Sequence, residues 1–201
     1  MEQRPYHHGA LESALLQAAM DVVATDGIGA LALRDLARTL GVSPSATYRH
    51  FPSREHLVAA VSQQARQRLA IAMIDARDAV PATGAKGPRS VKRFAATGRA
   101  YVTFAIRTPH LFEAAFVPCS VPPVDEDPNA WSVLVGAIDE MVDAGAIPAA
   151  RRADAPLIAW AGVHGLSTIL TASVQPPDAR LEAGHQRAID TVIDGIIRAI
   201  R

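Results

Sequence analysis

The chain is poor in cysteine, in net charge and in long apolar runs, and each shortage excludes a class of protein. Cys119 is the only cysteine among the 201 residues, so neither an intramolecular disulfide nor a cysteine-rich zinc site can form. The 20 basic side chains equal the 20 acidic ones in number, which removes the simplest electrostatic signature of a nucleic-acid-binding protein. Because no run of eighteen apolar residues and no apolar signal segment occurs, we expect a cytoplasmic protein that does not cross a membrane.

The residue patterns of common catalytic sites are also missing. The chain contains no GxSxG motif, no HExxH motif and no glycine-rich dinucleotide fingerprint. Cys119 lies in a proline-flanked segment without a recognisable base partner. We therefore predict no enzymatic activity, no cofactor and no metal site, and we keep a thiol sensor based on Cys119 as an alternative.

Apolar residues are plentiful, and they recur at the spacing of helices. They make up 49% of the chain against 20% charged residues, which is enough for a substantial core. No convincing alternation of apolar and polar residues appears, so we predict an all-α fold. The segments 81–88 and 118–128 contain several breakers and are predicted to be loops. The predicted helices cover residues 11–26, 33–40, 44–50, 54–79, 91–107, 111–116, 131–144, 154–174 and 181–201.

The segment LRDLARTLGVSPSATYRHF, which begins at Leu33, has the pattern of two short helices joined by a tight turn. Apolar residues from Leu33 to Leu40 fall three, four and seven apart and share one helix face. Gly41 follows the last of them, where a left-handed backbone costs glycine least. Ser43 is placed to cap the second helix, and Pro44 occupies its first position. This is the helix-turn-helix arrangement, whose second helix enters the DNA major groove.

The pattern L-x-x-L-A-x-x-L-G-V-S-x-x-x-x-Y-x-H-F, followed at once by Ser53, Arg54, Glu55 and Leu57, resembles the TetR family of transcriptional regulators. The resemblance covers residues 11–58. The position after Ser53 is often lysine in that family and is arginine here, so the charge is kept.

A second resemblance lies near the C-terminus, in the segment AWAGVHGLSTIL. Trp160, His164 and Gly165 form a W-x-x-x-H-G arrangement that resembles the signature of one class of TetR-family C-terminal domain. Trp160 and His164 lie one turn apart on one helix face, where a tryptophan and a hydrogen-bonded histidine packed in a helix bundle is the alternative to a ligand-binding pair.

These resemblances imply a three-helix DNA-binding head at residues 1–52 and a helical ligand-binding and dimerisation domain at residues 53–201, with a long helix joining them. They also imply a repressor that binds a palindromic operator as a homodimer and is released by a small effector. Thr47 is predicted to approach a base edge, and Tyr48 and His50 to approach phosphates. The predicted DNA contacts are Arg34, Ser43, Ser45, Thr47, Tyr48, Arg49, His50 and Arg54.

The local charge does not favour DNA. Residues 1–56 hold five arginines and no lysine against six acidic residues. The prediction of DNA binding therefore depends on the motif and on where the arginines point. A helical interaction protein with degenerate DNA binding stays an alternative.

Aromatic and apolar residues of the second domain are predicted to line a cavity for an uncharged, apolar or aromatic effector, although any core would contain the same residues. The predicted pocket residues are Tyr101, Phe104, Phe112, Phe116, Trp131, Met141, Trp160 and His164. The last two helices are predicted to form the dimer interface, and the alternative is that they serve only the monomer core. The predicted interface residues are Ala161, Gly165, Ile189, Val192, Ile193, Ile196 and Ile197.

Overall fold

The computed structural model describes residues 8–118, 128–172 and 182–201, and Cys119 lies outside them. Within those ranges the chain is helical and contains no strand, which confirms the all-α prediction. Two short 3-10 turns, Ile28–Ala30 and Ala149–Arg152, lie between helices. The helices are α1 His8–Asp26, α2 Leu33–Thr39, α3 Pro44–His50, α4 Arg54–Asp78, α5 Lys86–Arg107, α6 Pro109–Ala115, α7 Ala130–Asp143, α8 Ala155–Thr171 and α9 Glu182–Ile200.

Helix α5 begins earlier than predicted. Its first residue is Lys86, so the prediction of a loop through residue 88 was wrong for its last three residues. Pro88 is the third residue of the helix, where a backbone N–H has no partner within the helix. Proline is therefore tolerated there, and its presence did not mark the end of the loop.

The chain divides into two compact units. The first consists of Met1–Arg66 and Thr108–Glu126, and the second of Gln67–Arg107 and Asp127–Arg201. The division falls inside α4 and assigns α6 to the first unit. The functional boundary expected between residues 52 and 53 stays a prediction, since compactness alone does not test it.

In the first unit, α1 packs against α2, α3 and α6. Leu15 and Val23 of α1 are fully buried, as is Leu57 at the start of α4. Gly27 ends α1 with a φ of 79°, and a side-chain Cβ there would lie 3.3 Å from His110 Nδ1 of α6. Glycine is therefore needed at this position both for its backbone and for the close approach of α6.

In the second unit, α5 packs against α7, α8 and α9. Its buried side chains include Phe94 and Tyr101, and the fully buried Ile138 and Met141 come from α7. Arg99 of α5 also pairs with Asp190 of α9 at 2.7 Å on the surface. The apolar stripes that predicted these helices thus face a common interior.

Helices α8 and α9 approach closely at Gly162. A Cβ at Gly162 would lie 2.6 Å from Ile196 Cδ1 and 3.0 Å from its Cγ1. In Gly162→Ala the displacement of the buried Ile196 should cost about 2 kcal/mol, which exceeds the gain of about 1 kcal/mol in helix propensity. We therefore expect this variant to lower the free energy of unfolding by about 1 kcal/mol. Gly136→Ala in α7 is the matched control, since nothing lies within 4 Å of its Cβ. There the better helix propensity of alanine should raise the stability by about 1 kcal/mol in the same denaturant titration.

Candidate functional site

The helix-turn-helix is built as the sequence predicts. Gly41 has a φ of 66° in the turn after α2. Ser43 is in an extended conformation, and its hydroxyl accepts a hydrogen bond of 3.2 Å from the Ala46 N–H. Pro44 is the first residue of α3, which ends before Phe51. These local contacts begin and end a helix of only seven residues, which could not persist without them and its neighbours.

One face of α3 is open to solvent. Ser45 and Arg49 are exposed, and the Tyr48 side chain is 42% exposed. Ser43 at the start of the helix is exposed as well, as is Arg34 on α2. Five of the eight predicted DNA contacts therefore lie on the surface of the head. Two of them contact each other, since the Ser43 and Ser45 hydroxyls are hydrogen-bonded at 3.0 Å.

Thr47 faces the opposite way, a placement that does not suit its predicted contact with a base. Its residue exposure is 0%, so its methyl and hydroxyl point into the head. The hydroxyl oxygen has no hydrogen-bond partner among the described residues. In a seven-residue helix that packs on α1 and α2, one position per turn must face inward, and Thr47 occupies it.

His50 and Arg54 are turned toward the head itself. The His50 side chain is 11% exposed, and its Nδ1 lies 3.6 Å from Glu12 Oε2 of α1. Arg54 donates from Nε to the Leu31 carbonyl at 3.1 Å and from a terminal guanidinium nitrogen to the Ile28 carbonyl at 2.8 Å. Arg54 thus ties the start of α4 to the turn before α2, a role that spacing along the sequence did not reveal.

The charges on this surface are few. Arg38, which the sequence analysis did not select, is exposed on α2 and pairs with Asp35 at 2.9 Å. Such an exposed pair contributes little to stability and leaves the guanidinium accessible. At the start of α4, a hydrogen bond from the Ser53 hydroxyl lowers the pKa of Glu55. Among the described residues of the head, the exposed arginines are therefore Arg34, Arg38, Arg49 and Arg54, of which Arg54 donates to backbone carbonyl groups. Acidic residues lie close to them in sequence.

Replacing Thr47 with valine tests its placement. We expect Thr47→Val to raise the free energy of unfolding by about 1 kcal/mol, because it removes a buried hydroxyl without a partner and keeps the shape. Affinity for DNA should not change. Thr39→Val on the exposed surface of α2 is the control and should shift stability by less than about 0.5 kcal/mol. A loss of DNA affinity in Thr47→Val would restore the predicted base contact.

Four of the predicted pocket residues form one aromatic cluster in the second unit. The Tyr101 hydroxyl and His164 Nδ1 are hydrogen-bonded at 2.8 Å. Trp160 stacks on His164 with ring centroids 5.6 Å apart, and its ring meets Tyr101 and Trp131 edge to face at 5.4 and 5.7 Å. Burial raises the pKa of Tyr101 and lowers the pKa of His164, so it favours the neutral form of both groups.

The other predicted pocket residues are not in this cluster. Phe112 and Phe116 form an edge-to-face pair in the first unit. Phe104 is half-buried on α5, and Met141 is fully buried in α7. A cavity of about 20 Å³ does exist in the second unit, and of the eight predicted pocket residues only Tyr101 lines it.

The predicted interface residues separate into two groups. Ile189, Ile193, Ile196 and Ile197 are buried within the single chain, and Val192 is half-buried, as the alternative of a monomer core requires. On α8, in contrast, Ala161 is exposed and Gly165 is half-buried. Leu157 and Ile169, which the sequence analysis did not select, are 66% and 57% exposed on the same helix. An apolar stripe on α8 is therefore left uncovered in the single chain.

The described residues lack the usual features of metal sites and membrane spans. Among the described residues, no group of three or more histidine, cysteine, aspartate or glutamate side chains could hold a metal ion. No described helix has both the length and the apolar composition needed to span a bilayer.

Two family profiles match most of the chain. Residues 15–61 match the profile described as bacterial regulatory proteins, tetR family, which covers the helix-turn-helix. Residues 94–192 match the profile described as tetracyclin repressor-like, C-terminal domain. No curated protein matches the chain.

Solved structures share the fold over nearly the whole length. A protein with unknown function from Rhodococcus sp. RHA1 is 28% identical, with a TM-score of 0.75 and coverage of 98% of this chain and 99% of its own. The TetR family transcriptional regulator PfmR from Thermus thermophilus is 20% identical, with a TM-score of 0.60 and coverage of 92% and 97%. A TetR variant from Acinetobacter baumannii, solved in complex with minocycline, is 18% identical, with a TM-score of 0.60 and coverage of 94% and 97%.

Proposed function

The chain belongs to the TetR family of bacterial regulatory proteins, and on that premise we propose a repressor that binds a palindromic operator as a homodimer. A small apolar effector releases it from DNA. The observation that carries the proposal is the exposed face of α3, where Ser45, Tyr48 and Arg49 stand on a helix-turn-helix whose opposite face is buried. Assignment of the C-terminal domain to the W-x-x-x-H-G class stays a prediction.

The exposed side chains of α3 suit a helix that enters the major groove. Ser45 lies in the first turn, where a hydroxyl can donate to or accept from a base edge. Tyr48 and Arg49 lie in the last turn and suit phosphate oxygens. If Arg34, Arg38 and Arg49 of two heads reach phosphates, about six charges are neutralised, so the slope of log affinity against log salt should be about −5 or shallower.

A homodimer is supported by the stripe on α8. Leu157, Ala161, Gly165 and Ile169 are spaced four residues apart and so share one face of that helix. Alanine and glycine in the middle of the stripe let a second helix approach closely, and the two larger residues bury apolar area at its ends. Two copies joined in this way would present two recognition helices roughly 34–36 Å apart to successive turns of DNA.

The interior of the second unit supports an apolar effector. The cavity there has apolar walls, and none of the described residues that line it is charged. The relative from Acinetobacter baumannii was solved with a small molecule, which supports a small-molecule effector here as well. A ligand regulates DNA binding only if it binds the DNA-competent and the DNA-incompetent states with different affinity.

The test is fluorescence anisotropy with DNA from immediately upstream of the gene that encodes this chain, at two salt concentrations. Saturable binding that resists competitor DNA and weakens with salt is the expected result. Selection from a random DNA pool should enrich a palindrome, and sedimentation should give twice the monomer mass. Failure to enrich any palindrome would contradict the proposal.

A further inference from the structure

The cavity of the second unit is too small for an effector as it stands. Its volume is about 20 Å³, whereas sites for small molecules are typically about 300 Å³ or larger. Met73, Phe94, Leu134, Val163 and Ile193 form apolar parts of its wall. A molecule that binds here must therefore displace a side chain, and the chemistry of the displaced group decides which molecule can replace it.

Tyr101 belongs both to the wall of the cavity and to the aromatic cluster. It lines the cavity, and its hydroxyl is hydrogen-bonded to His164 Nδ1 on the side of Trp160. The cluster continues from Trp160 to Trp131, whose side chain is 45% exposed. Displacement of the Tyr101 side chain would therefore join the cavity to a row of aromatic rings that reaches the surface.

The hydrogen bond of Tyr101 determines which polar group a ligand needs in this site. The other hydroxyl in the wall, that of Thr97, already donates to the Phe94 carbonyl at 2.6 Å. When Tyr101 moves away, His164 Nδ1 loses this hydrogen bond in a half-buried setting, and a polar group of the incoming molecule restores it. A hydroxyl can donate or accept and so satisfies either tautomer of His164, whereas a carbonyl satisfies only one.

The absence of charge in the described wall and the shape of the aromatic cluster narrow the class of ligand further. Since the described residues of the wall carry no charge, a carboxylate or ammonium group would lose its hydration without gaining a counter-ion. Tyr101 also meets Trp160 edge to face, a contact that another aromatic ring can reproduce. The group that best replaces the tyrosine side chain is thus a neutral aromatic ring with a hydroxyl.

We propose that the effector is a neutral hydroxylated aromatic molecule that displaces Tyr101 and takes over its hydrogen bond to His164 and its contact with Trp160. This inference rests on the proposed function, because it names the ligand class of the same regulator. It also assigns Tyr101 a competing role: its hydroxyl holds the site closed.

Three probes that share the ethylbenzene skeleton separate the contributions of the hydroxyl and of charge. We would titrate the full chain with 4-ethylphenol, ethylbenzene and 4-ethylbenzoate and follow the fluorescence of the two tryptophans, which both belong to the cluster. We expect 4-ethylphenol to bind about tenfold more tightly than ethylbenzene, and 4-ethylbenzoate to bind most weakly. Equal binding of 4-ethylphenol and ethylbenzene would overturn the inference, as would tighter binding of 4-ethylbenzoate.

Two variants test the competing hydrogen bond. His164→Leu should tighten ethylbenzene about threefold to tenfold and leave 4-ethylphenol nearly unchanged, because it removes the hydrogen bond that holds Tyr101 in place and that only 4-ethylphenol replaces. Tyr101→Phe should tighten 4-ethylphenol by a similar factor, since the competing hydroxyl is gone and His164 needs a partner. Weaker binding by Tyr101→Phe, with an unchanged circular dichroism spectrum, would show that Tyr101 contacts the ligand instead of yielding to it.

The fluorescence titration needs no DNA, so it separates this inference from the proposed function. If the chain binds the three probes in the expected order but binds no operator, the ligand class is supported and the repressor function is contradicted. If the chain binds an operator but none of the three probes, the repressor function is supported and the ligand class is contradicted.

Discussion

Replacing Tyr48 and Arg49 together with alanine should weaken operator binding by about a hundredfold or more. Both side chains are exposed on α3, and a homodimer presents each of them twice. If each of the four lost contacts contributes about 1 kcal/mol, the combined loss is about three powers of ten. The slope of log affinity against log salt should also become shallower by about two, one for each arginine removed.

Lys92→Ala combined with Ile71→Ala is the matched control, because both residues are exposed but belong to the second unit. It should bind the operator as the unaltered chain does. The circular dichroism spectrum should be unchanged in both double variants and the thermal midpoint should shift little, since all four side chains lie on the surface. Undiminished affinity after the loss of Tyr48 and Arg49 would show that α3 does not read DNA.

The second large effect is expected on the stripe of α8. Leu157→Glu should raise the dissociation constant of the dimer by about a hundredfold or more, because two carboxylates would be placed in an apolar interface. Operator affinity should fall with it, since a monomer reaches only one half-site. Analytical ultracentrifugation over a range of concentrations measures the first effect, and anisotropy the second.

Ile71→Glu provides the comparison for Leu157→Glu. Ile71 is 52% exposed on α4, so the change introduces the same charge at an exposed aliphatic residue outside the stripe. That variant should remain a dimer. If Leu157→Glu dimerises as tightly as Ile71→Glu, α8 does not form the interface and another surface of the chain must.

The sequence predicts what depends on local chemistry. Apolar spacing locates the helices, and the Ser43 hydroxyl and the positive φ of Gly41 fix the two ends of the turn between α2 and α3. These features need only neighbouring residues, so a single sequence contains them. The start of α5 was misplaced for a local reason too, because Pro88 suits the first turn of a helix as well as it suits a loop.

The sequence alone does not indicate which part of the protein each helix face contacts. Thr47 and Tyr48 are adjacent on α3, and only the packing of that helix on α1 decides which of them is buried. Arg54 finds its acceptors more than twenty residues upstream, at carbonyl groups that any residue type could supply. The isoleucines of α9 have the spacing of an apolar face, and the sequence alone could not show that Ile193 and its neighbours are buried within the same chain.

The continuity of α4 affects how the protein unfolds. The helix has 25 residues and a length of about 37 Å, and the two compact units share it almost equally. Either half alone is near the length below which isolated helices are marginal in water. Melting one unit would deprive its half of α4 of tertiary support and leave the other half with a frayed end. Partial opening of one unit is therefore penalised by the other, which favours cooperative unfolding and limits partly folded species exposed to proteases.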